Sequence, residues 1–420
     1  MKNRRIILMV IVSILSIVVG CSNLSPEAGD VVEIQFAHGF SGDVIDQLVD
    51  EYNKSQDKVR VQATFIPGNH EGVVQKLQTL TVAKQLPDVI GMGYGYHQFA
   101  LDNFPVVPLQ SFIEQENYNL NDFFPNLLDL GRGPDGQVYS LPMQVTEPIM
   151  YINNNLLRAS NLDPKNPPKT WDELREAAKK MTHDDQYGVY FEYAASGNWM
   201  FQTMLGTAHG NMMKDSKQVG FNSVEGRKAL QYWVDLVNTD KSMPLLTTTQ
   251  AEQSFLAGKV GIYIASSSRI AKYSAQKSIE LSTAVFPSLD GNYRQVPIGG
   301  AGVMMLAKDN KKQQAAWDFI KFLASPESMT IYAKGTGSMV SRESALEKPE
   351  WMQTFLMDNP LSKTPYEQVK DAVPWNSFPG TDPVKLNTVL QDNITAAINQ
   401  QKTVEDALRD AEAQANELLK

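Results

Sequence analysis

An α/β fold of two lobes is what this sequence predicts, and three observations predict it. Residues 31 to 93 read strand, helix, strand, helix, strand, the βαβ order that builds a parallel sheet with helices on its faces. The 420-residue chain leaves about 400 residues after an apolar leader, and a single core rarely grows past about 250 to 300 residues. Later segments return to the same alternation of short apolar strands and amphipathic helices. A hydrophobic content of 42% with six tryptophans is enough to build such cores and argues against disorder.

The elements follow in order. "VVEIQFA" (31–37) is the first strand, and "DVIDQLVDEYNKS" places Val44, Ile45, Leu48, Val49 and Tyr52 at helical spacing. "VRVQATFI" (59–66) alternates as a strand, "EGVVQKLQTLTVAKQ" (71–85) is helical, and "LPDVIGMG" (86–93) is a buried strand entered through proline. Gly-Pro-Asp-Gly marks a turn before "QVYSLP" and the extended run to "PIMYINN". Thr170 and Glu173 form a capping box for the helix that follows. A further helix covers about 222–238. "VGIYIA" is a buried strand that ends in serines, and "GGAGVMMLA" (299–307) is another strand. Ser325 caps a helix that takes Pro326 at its first position. Two amphipathic helices, about 383–399 and 404–419, close the chain.

The leader is separate. MKNRR carries three positive charges and no acid, and Ile6 to Val19 run apolar for fourteen residues. A helix of that length spans roughly 21 Å, against roughly 30 Å for a bilayer core, so it suits a secretory signal. Val18-Val19-Gly20-Cys21 resembles the lipobox of bacterial lipoproteins, in which the cysteine is acylated and becomes the new N-terminus. Cys21 is the only cysteine of the chain, so it forms no intramolecular disulfide. The expectation is a signal peptide at 1–20, lipid attachment at Cys21, a polar tether at 21–30, and a protein held on the outer face of the cell membrane. Residues 1–20 hold three basic and no acidic residues, so removing them takes the formal net charge from −9 to −12. No basic cluster remains, and nucleic acid is not an expected partner.

Several stretches in order resemble the extracellular solute-binding proteins of ABC importers, in the branch that includes maltose-binding and glycerol-3-phosphate-binding proteins. They are "IQFAHGFSG", "IDQLVDEYNK", "LPDVI", "YSLPMQVTEPIMYINNNLLRASNLDPKNPPKTWDEL", "SFLAGKVGIYIASS", "IGGAGVMML", "AWDFIKFLASPESMTIYAKGTGSM" and "VEDAL". The resemblance implies the two-lobed periplasmic-binding-protein fold with crossing strands at a hinge. The crossings are expected near 143–150, 262–270 and 330–340. Lobe 1 is then 31–146 with 267–330, and lobe 2 is 147–266 with 331–420. It also implies capture of a solute in the cleft, delivery to membrane permease subunits, no cofactor or metal, and a monomer.

The candidate ligand-binding residues each carry a structural alternative. His38 and Phe40, in "HGFSG" after the first strand, line a cleft loop or pack a turn. His70, in "GNHEG", lies where the resemblance implies a ring over the ligand. Tyr94 and Tyr96, in "GMGYGYHQF", offer platforms for apolar sugar faces; that stretch is not a dinucleotide fingerprint, because Tyr96 stands where the last glycine belongs. Thr146 and Glu147 lie on the first crossover, where the resemblance implies polar groups facing ligand. Trp199, in "SGNWMFQ", is a platform or a core residue. Ser266 and Ser267 bond a ligand or cap a helix, and Gly300 gives backbone access. Trp375 and Phe378, in "PWNSFPG", form an aromatic lid or pack near the hinge.

The solute expected is a neutral carbohydrate. The glycerol-3-phosphate branch carries "TGYLP" and a downstream arginine that grips phosphate. Here "TGSMV" puts Ser338 in the tyrosine's place, no arginine lies between Arg342 and Arg409, and Lys385 is the nearest cation. Without arginine a phosphate loses bidentate recognition. Glycerol-3-phosphate or a glycerophosphodiester stays the alternative. An enzyme, such as a secreted glycosidase, is the distant one: the chain has no P-loop, no H-E-x-x-H and no G-x-S-x-G, and its five histidines are scattered.

Overall fold

The computed structural model describes residues 31–40 and 42–420. The leader, Cys21 and the tether lie outside them. Two sheets organise the chain. The first has five strands in the order Val59–Phe65, Val32–His38, Val89–Gly93, Gly299–Met305, Ser140–Thr146. Its first three strands are parallel, and Gly299–Met305 runs antiparallel to both neighbours. The second has four strands in the order Leu281–Val285, Pro148–Asn153, Val260–Ser266, Tyr187–Phe191. Each sheet carries its own hydrophobic core, so the two lobes bury their apolar surface separately.

The helices follow from apolar spacing and caps. Asn310–Leu323 begins at Asp309, whose carboxylate accepts from the Lys312 amide at 2.9 Å. Its Ala316, Trp317, Phe319, Ile320 and Leu323 recur at helical spacing and are buried against the first sheet. Trp171–Met181 opens with the capping box formed by Thr170 and Glu173. Pro326–Thr336 starts at Ser325 with proline in its first turn. The closing helices, Pro383–Ile398 and Val404–Leu418, pack in the core of the second lobe.

The chain passes between lobes three times, and two of the passages differ from expectation. At the first, Glu147 alone separates Thr146 of one sheet from Pro148 of the other. The second was placed at 262–270, with 267 onward in lobe 1. Instead Ile270, Tyr273 and Ile279 join the second core, and Leu281–Val285 pairs antiparallel with Pro148–Asn153. The chain returns only between Phe286 and Gly299. The third was placed at 330–340, yet Tyr332, Val340, Ala345 and Met352 still pack in the first core. It falls where Leu361 begins to pack on the second. An edge position beside Pro148–Asn153 is a long-range pairing that local periodicity does not report.

Trp233 and Trp317 are fully buried, one in each core. Cutting either to alanine should cost about 3–5 kcal/mol, seen by calorimetry as a clear drop in the melting of that lobe. A change within about 0.5 kcal/mol would mean the two cores are not what holds the lobes.

Candidate functional site

Between the lobes lies a further cluster drawn from both. Tyr94, Leu127, Leu130, Val145 and Met339 come from the first lobe, Trp199 and Trp375 from the second, and Ile298 from the passage between them. The rings of Trp199 and Trp375 lie 5.9 Å apart, tilted by 38°. His70, on the first turn of helix Asn69–Val82, meets Trp375 edge-on at 6.0 Å. Trp199 is fixed by its indole N–H, which donates to the Pro297 carbonyl at 2.7 Å.

Glycines make room for these rings. A Cβ on Gly95 would come 2.8 Å from Trp375, and one on Gly197 would come 2.6 Å from the same ring. Trp375 is thus pressed between a glycine of each lobe. A Cβ on Gly93 would lie 2.5 Å from His70, and one on Gly299 would meet both Trp199 and the Thr146 hydroxyl.

Polar atoms without partners lie in the cluster and beside its tryptophans in sequence. The Tyr94 hydroxyl, Trp375 Nε1, Asn376 Nδ2, Ser377 Oγ and Asn198 Oδ1 are buried and unbonded. Such atoms cost roughly 1–3 kcal/mol each unless something supplies a hydrogen bond. Arg294, whose charge reaches Glu147, is already paired with Asp371 at 2.8 Å. Lys385 is exposed.

Glu147 belongs to the hinge. It is wholly buried. Its N–H donates to Ser267 Oγ at 3.2 Å, and its carbonyl accepts from the Ser267 amide at 2.8 Å. Its carboxyl Oε2 accepts from Gln368 Nε2 at 2.9 Å, while Oε1 has no partner. Gln368 also donates to the Pro148 carbonyl at 3.1 Å and accepts from the Phe286 amide at 2.7 Å. One glutamine therefore ties together all three passages. Burial, far more than the Asp371 charge, pushes the Glu147 carboxyl up to about 8.

The structure places the candidate residues in three groups. His70, Tyr94, Trp199 and Trp375 come together between the lobes, with Thr146 beside Trp199. Glu147 and Ser267 fasten the hinge. The rest are held by contacts of the fold. Phe40 is core, packed edge-on to Tyr332 at 6.0 Å. Phe378 is buried in the second core. Tyr96 is fully buried in the first lobe, with its hydroxyl donating to Glu71 at 2.8 Å. Ser266 caps the turn that follows it, through the Ser268 amide. Gly300 adopts φ +103°, and a Cβ there would lie 2.2 Å from the Gln144 carbonyl, so it serves strand pairing. His38 is stacked between Phe36 and Phe40 with both ring nitrogens unbonded, and burial lowers its pKa to about 4.

Sequence reasoning passed over Glu71, Ser196, Gln368, Asn376 and Asn387. Glu71 stands beside His70 in "GNHEG" and Asn376 beside Trp375, so neighbours of a flagged ring were the signal to follow. Gln368 and Asn387 lie on helical stretches that mark neither.

The chain matches the family described as bacterial extracellular solute-binding protein over residues 47–359. It belongs to that family. As such it is the substrate-binding protein of an ABC importer. Among its relatives is the sn-glycerol-3-phosphate-binding periplasmic protein UgpB of Agrobacterium fabrum, 25% identical over 378 residues, covering 85% of each chain. The protein of that name from Rhizobium meliloti is 23% identical and covers 93% of this chain and 94% of its own. Among solved structures, the cyclic α-maltosyl-1,6-maltose binding protein of Arthrobacter globiformis aligns at TM-score 0.77 and 27% identity, over 93% of this chain and 99% of its own. UgpB of Mycobacterium tuberculosis, in complex with glycerophosphocholine, aligns at TM-score 0.82 and 18% identity, over 92% and 98%. This solute-binding protein has the two-lobed architecture of those neighbours, with strands crossing at the hinge.

The hinge carboxyl makes this solute-binding protein sensitive to pH. Its folded pKa, about 8, lies above the ordinary carboxylate value of 4.5. The unfolded chain releases the proton first, so stability falls as pH rises from about 4.5 to 8, by at most about 1.4 kcal/mol per pH unit. Glu147→Gln keeps the shape and the acceptor for Gln368 and removes the titration. The melting temperature of the variant should gain on the parent steadily between pH 5 and pH 8. Parallel curves across that range would place the Glu147 titration elsewhere.

Proposed function

We propose that this protein captures a neutral carbohydrate between its lobes and presents it to the permease, held on the outer face of the membrane by acylated Cys21. The observation that carries the reading is the interlobe cluster itself: aromatic faces from both lobes, ringed by unbonded hydroxyl, indole and amide groups. Sugars offer apolar C–H faces and a rim of hydroxyls, which match those two features. The solute takes the place of the Trp199–Trp375 contact, stacking on one or both rings while Tyr94, Asn376 and Ser377 bond its hydroxyls. The solved neighbour that binds a cyclic maltosyl-maltose supports this choice of class.

A second reading has its own support, since the UgpB relatives carry the name of a glycerol-3-phosphate binder. Against it stands the charge of the site: Arg294, whose charge reaches Glu147, is paired with Asp371. A dianionic phosphate in that setting lacks a bidentate partner.

A thermal-shift series separates the two. Maltose and cyclic glucose oligosaccharides should raise the melting temperature, since ligand at a hundred times its Kd stabilises by about 2.7 kcal/mol. Glycerol-3-phosphate and glycerophosphocholine should not. The reverse pattern would give the site to the phosphate ester. With the sugar that responds, Trp375→Ala should weaken binding roughly tenfold, about 1.4 kcal/mol, while melting stays near the parent. A variant that melts far lower yet binds in full would make Trp375 a packing residue.

The anchor has a direct test. Cells fed labelled palmitate should incorporate label into the parent and not into Cys21→Ala, and the variant should leave the membrane fraction. Two acyl chains or their equivalent are needed for stable attachment. Label retained in Cys21→Ala would end the lipoprotein reading.

A further inference from the structure

We propose that Glu71 is a positioning residue for closure: its carboxylate latches the second lobe onto the first at the cleft edge away from the hinge strands. Glu71 sits on helix Asn69–Val82 of the first lobe. Its Oε1 accepts from the Tyr96 hydroxyl of its own lobe at 2.8 Å. From the other lobe, Ser196 Oγ donates to the carboxylate at 2.6 Å and the Gly197 amide donates to Oε1 at 3.0 Å. A second link runs alongside: Asn387 Nδ2, on helix Pro383–Ile398, donates to the Tyr96 hydroxyl at 3.1 Å.

The turn that meets Glu71 is built for the purpose. Gly197 and Asn198 both adopt left-handed backbone, φ +62° and +54°. That turn presents the Gly197 amide to the carboxylate. A non-glycine residue held there costs of order 1 kcal/mol or more. Asn198 is secured by its side chain, which donates to the Asn387 carbonyl at 2.9 Å. The same Gly197 gives way to Trp375. The residue that donates to Glu71 is therefore also the one that leaves room for the Trp375 ring. Around it, Gln78 and Asn103 of the first lobe donate to the Thr381 and Gly380 carbonyls at 3.2 and 3.3 Å.

Hydrogen bonds to a charged acceptor are the strong ones. A protein that supplies its own closing contacts keeps a larger share of its binding-competent form, and apparent affinity scales with that share. The inference rests on the reading that the lobes open and shut around solute, but its test needs no solute. In full-length Cys21→Ser protein, spin labels at Gln85→Cys and Lys217→Cys, both exposed and one in each lobe, report the interlobe distance by electron–electron double resonance. Glu71→Ala should lengthen and broaden the distribution of the ligand-free protein, with the closed-to-open ratio falling about tenfold. Glu71→Gln keeps one acceptor oxygen and should recover part of the closed form. Ser196→Ala should shift the same way by less. Distributions identical to the parent in Glu71→Ala and Ser196→Ala overturn the proposal, and so does a lowered melting temperature with unchanged distances, since Glu71 would then serve only its own lobe. Because no sugar or phosphate ester enters, a wrong solute class leaves this result standing.

Discussion

The buried contact between Glu147 and Gln368 is the constraint on which the rest depends. Two lobes with separate cores must stay joined by three narrow passages, and each passage exposes backbone groups that need partners. Gln368 supplies them from the third passage: it donates to Glu147 and Pro148 of the first and accepts from Phe286 at the start of the second. Ser267 completes the set by holding both backbone groups of Glu147. Parallel pairing of Val296–Pro297 with Ala372–Val373, and the Met339 amide on the Val145 carbonyl, carry the same bundle toward the cleft. A hinge made this way bends where strands end and keeps its hydrogen bonds in register.

From that pivot the cleft inherits its shape. The passages bring Thr146, Pro297 and Gly299 to the floor beneath Trp199, while the far edge is left to side chains. Glycine does at the rings what glutamine does at the hinge. Gly95 and Gly197 come from opposite lobes, and each leaves out the one carbon that would collide with Trp375. The aromatic contact between lobes is thus possible only in one relative placement, which couples the position of the platforms to the degree of closure.

How much of this was legible in the sequence depends on range. The βαβ run, the Thr170–Glu173 capping box, the Ser325 cap and the crossing at Glu147 are local patterns, and the structure contains them. The aromatic residues of the cleft were legible as residue types in loops after strands, but the same rule selected Phe40, Tyr96 and Phe378, which are buried in cores. A ring in a loop packs inward or outward according to what lies opposite, and that is decided by parts of the chain far away in sequence. The lobe boundaries failed for the same reason: Leu281–Val285 looks like any short strand, and its sheet is set by the open edge of Pro148–Asn153. Glu71 was hidden because its partners, Ser196 and Gly197, lie about 125 residues further along.

Under the carbohydrate reading proposed above, charge is what sets the two solute classes apart. The chain is acidic, yet the surface charge far from the cleft is screened over roughly 8–10 Å at physiological salt and says little about a buried ligand. What matters is the charge already sealed inside. Arg294 is neutralised by Asp371. Glu147 holds its proton at neutral pH because burial raises its pKa to about 8. The Glu71 carboxyl accepts from Ser196 and Gly197. The interior facing the cluster is therefore close to neutral, with a carboxylate at its rim. An anionic solute would meet that carboxylate with Arg294 already paired to Asp371, and would have to shed its hydration for neutral donors. A polyol loses far less on leaving water, and neutral donors with aromatic faces replace most of what water gave it.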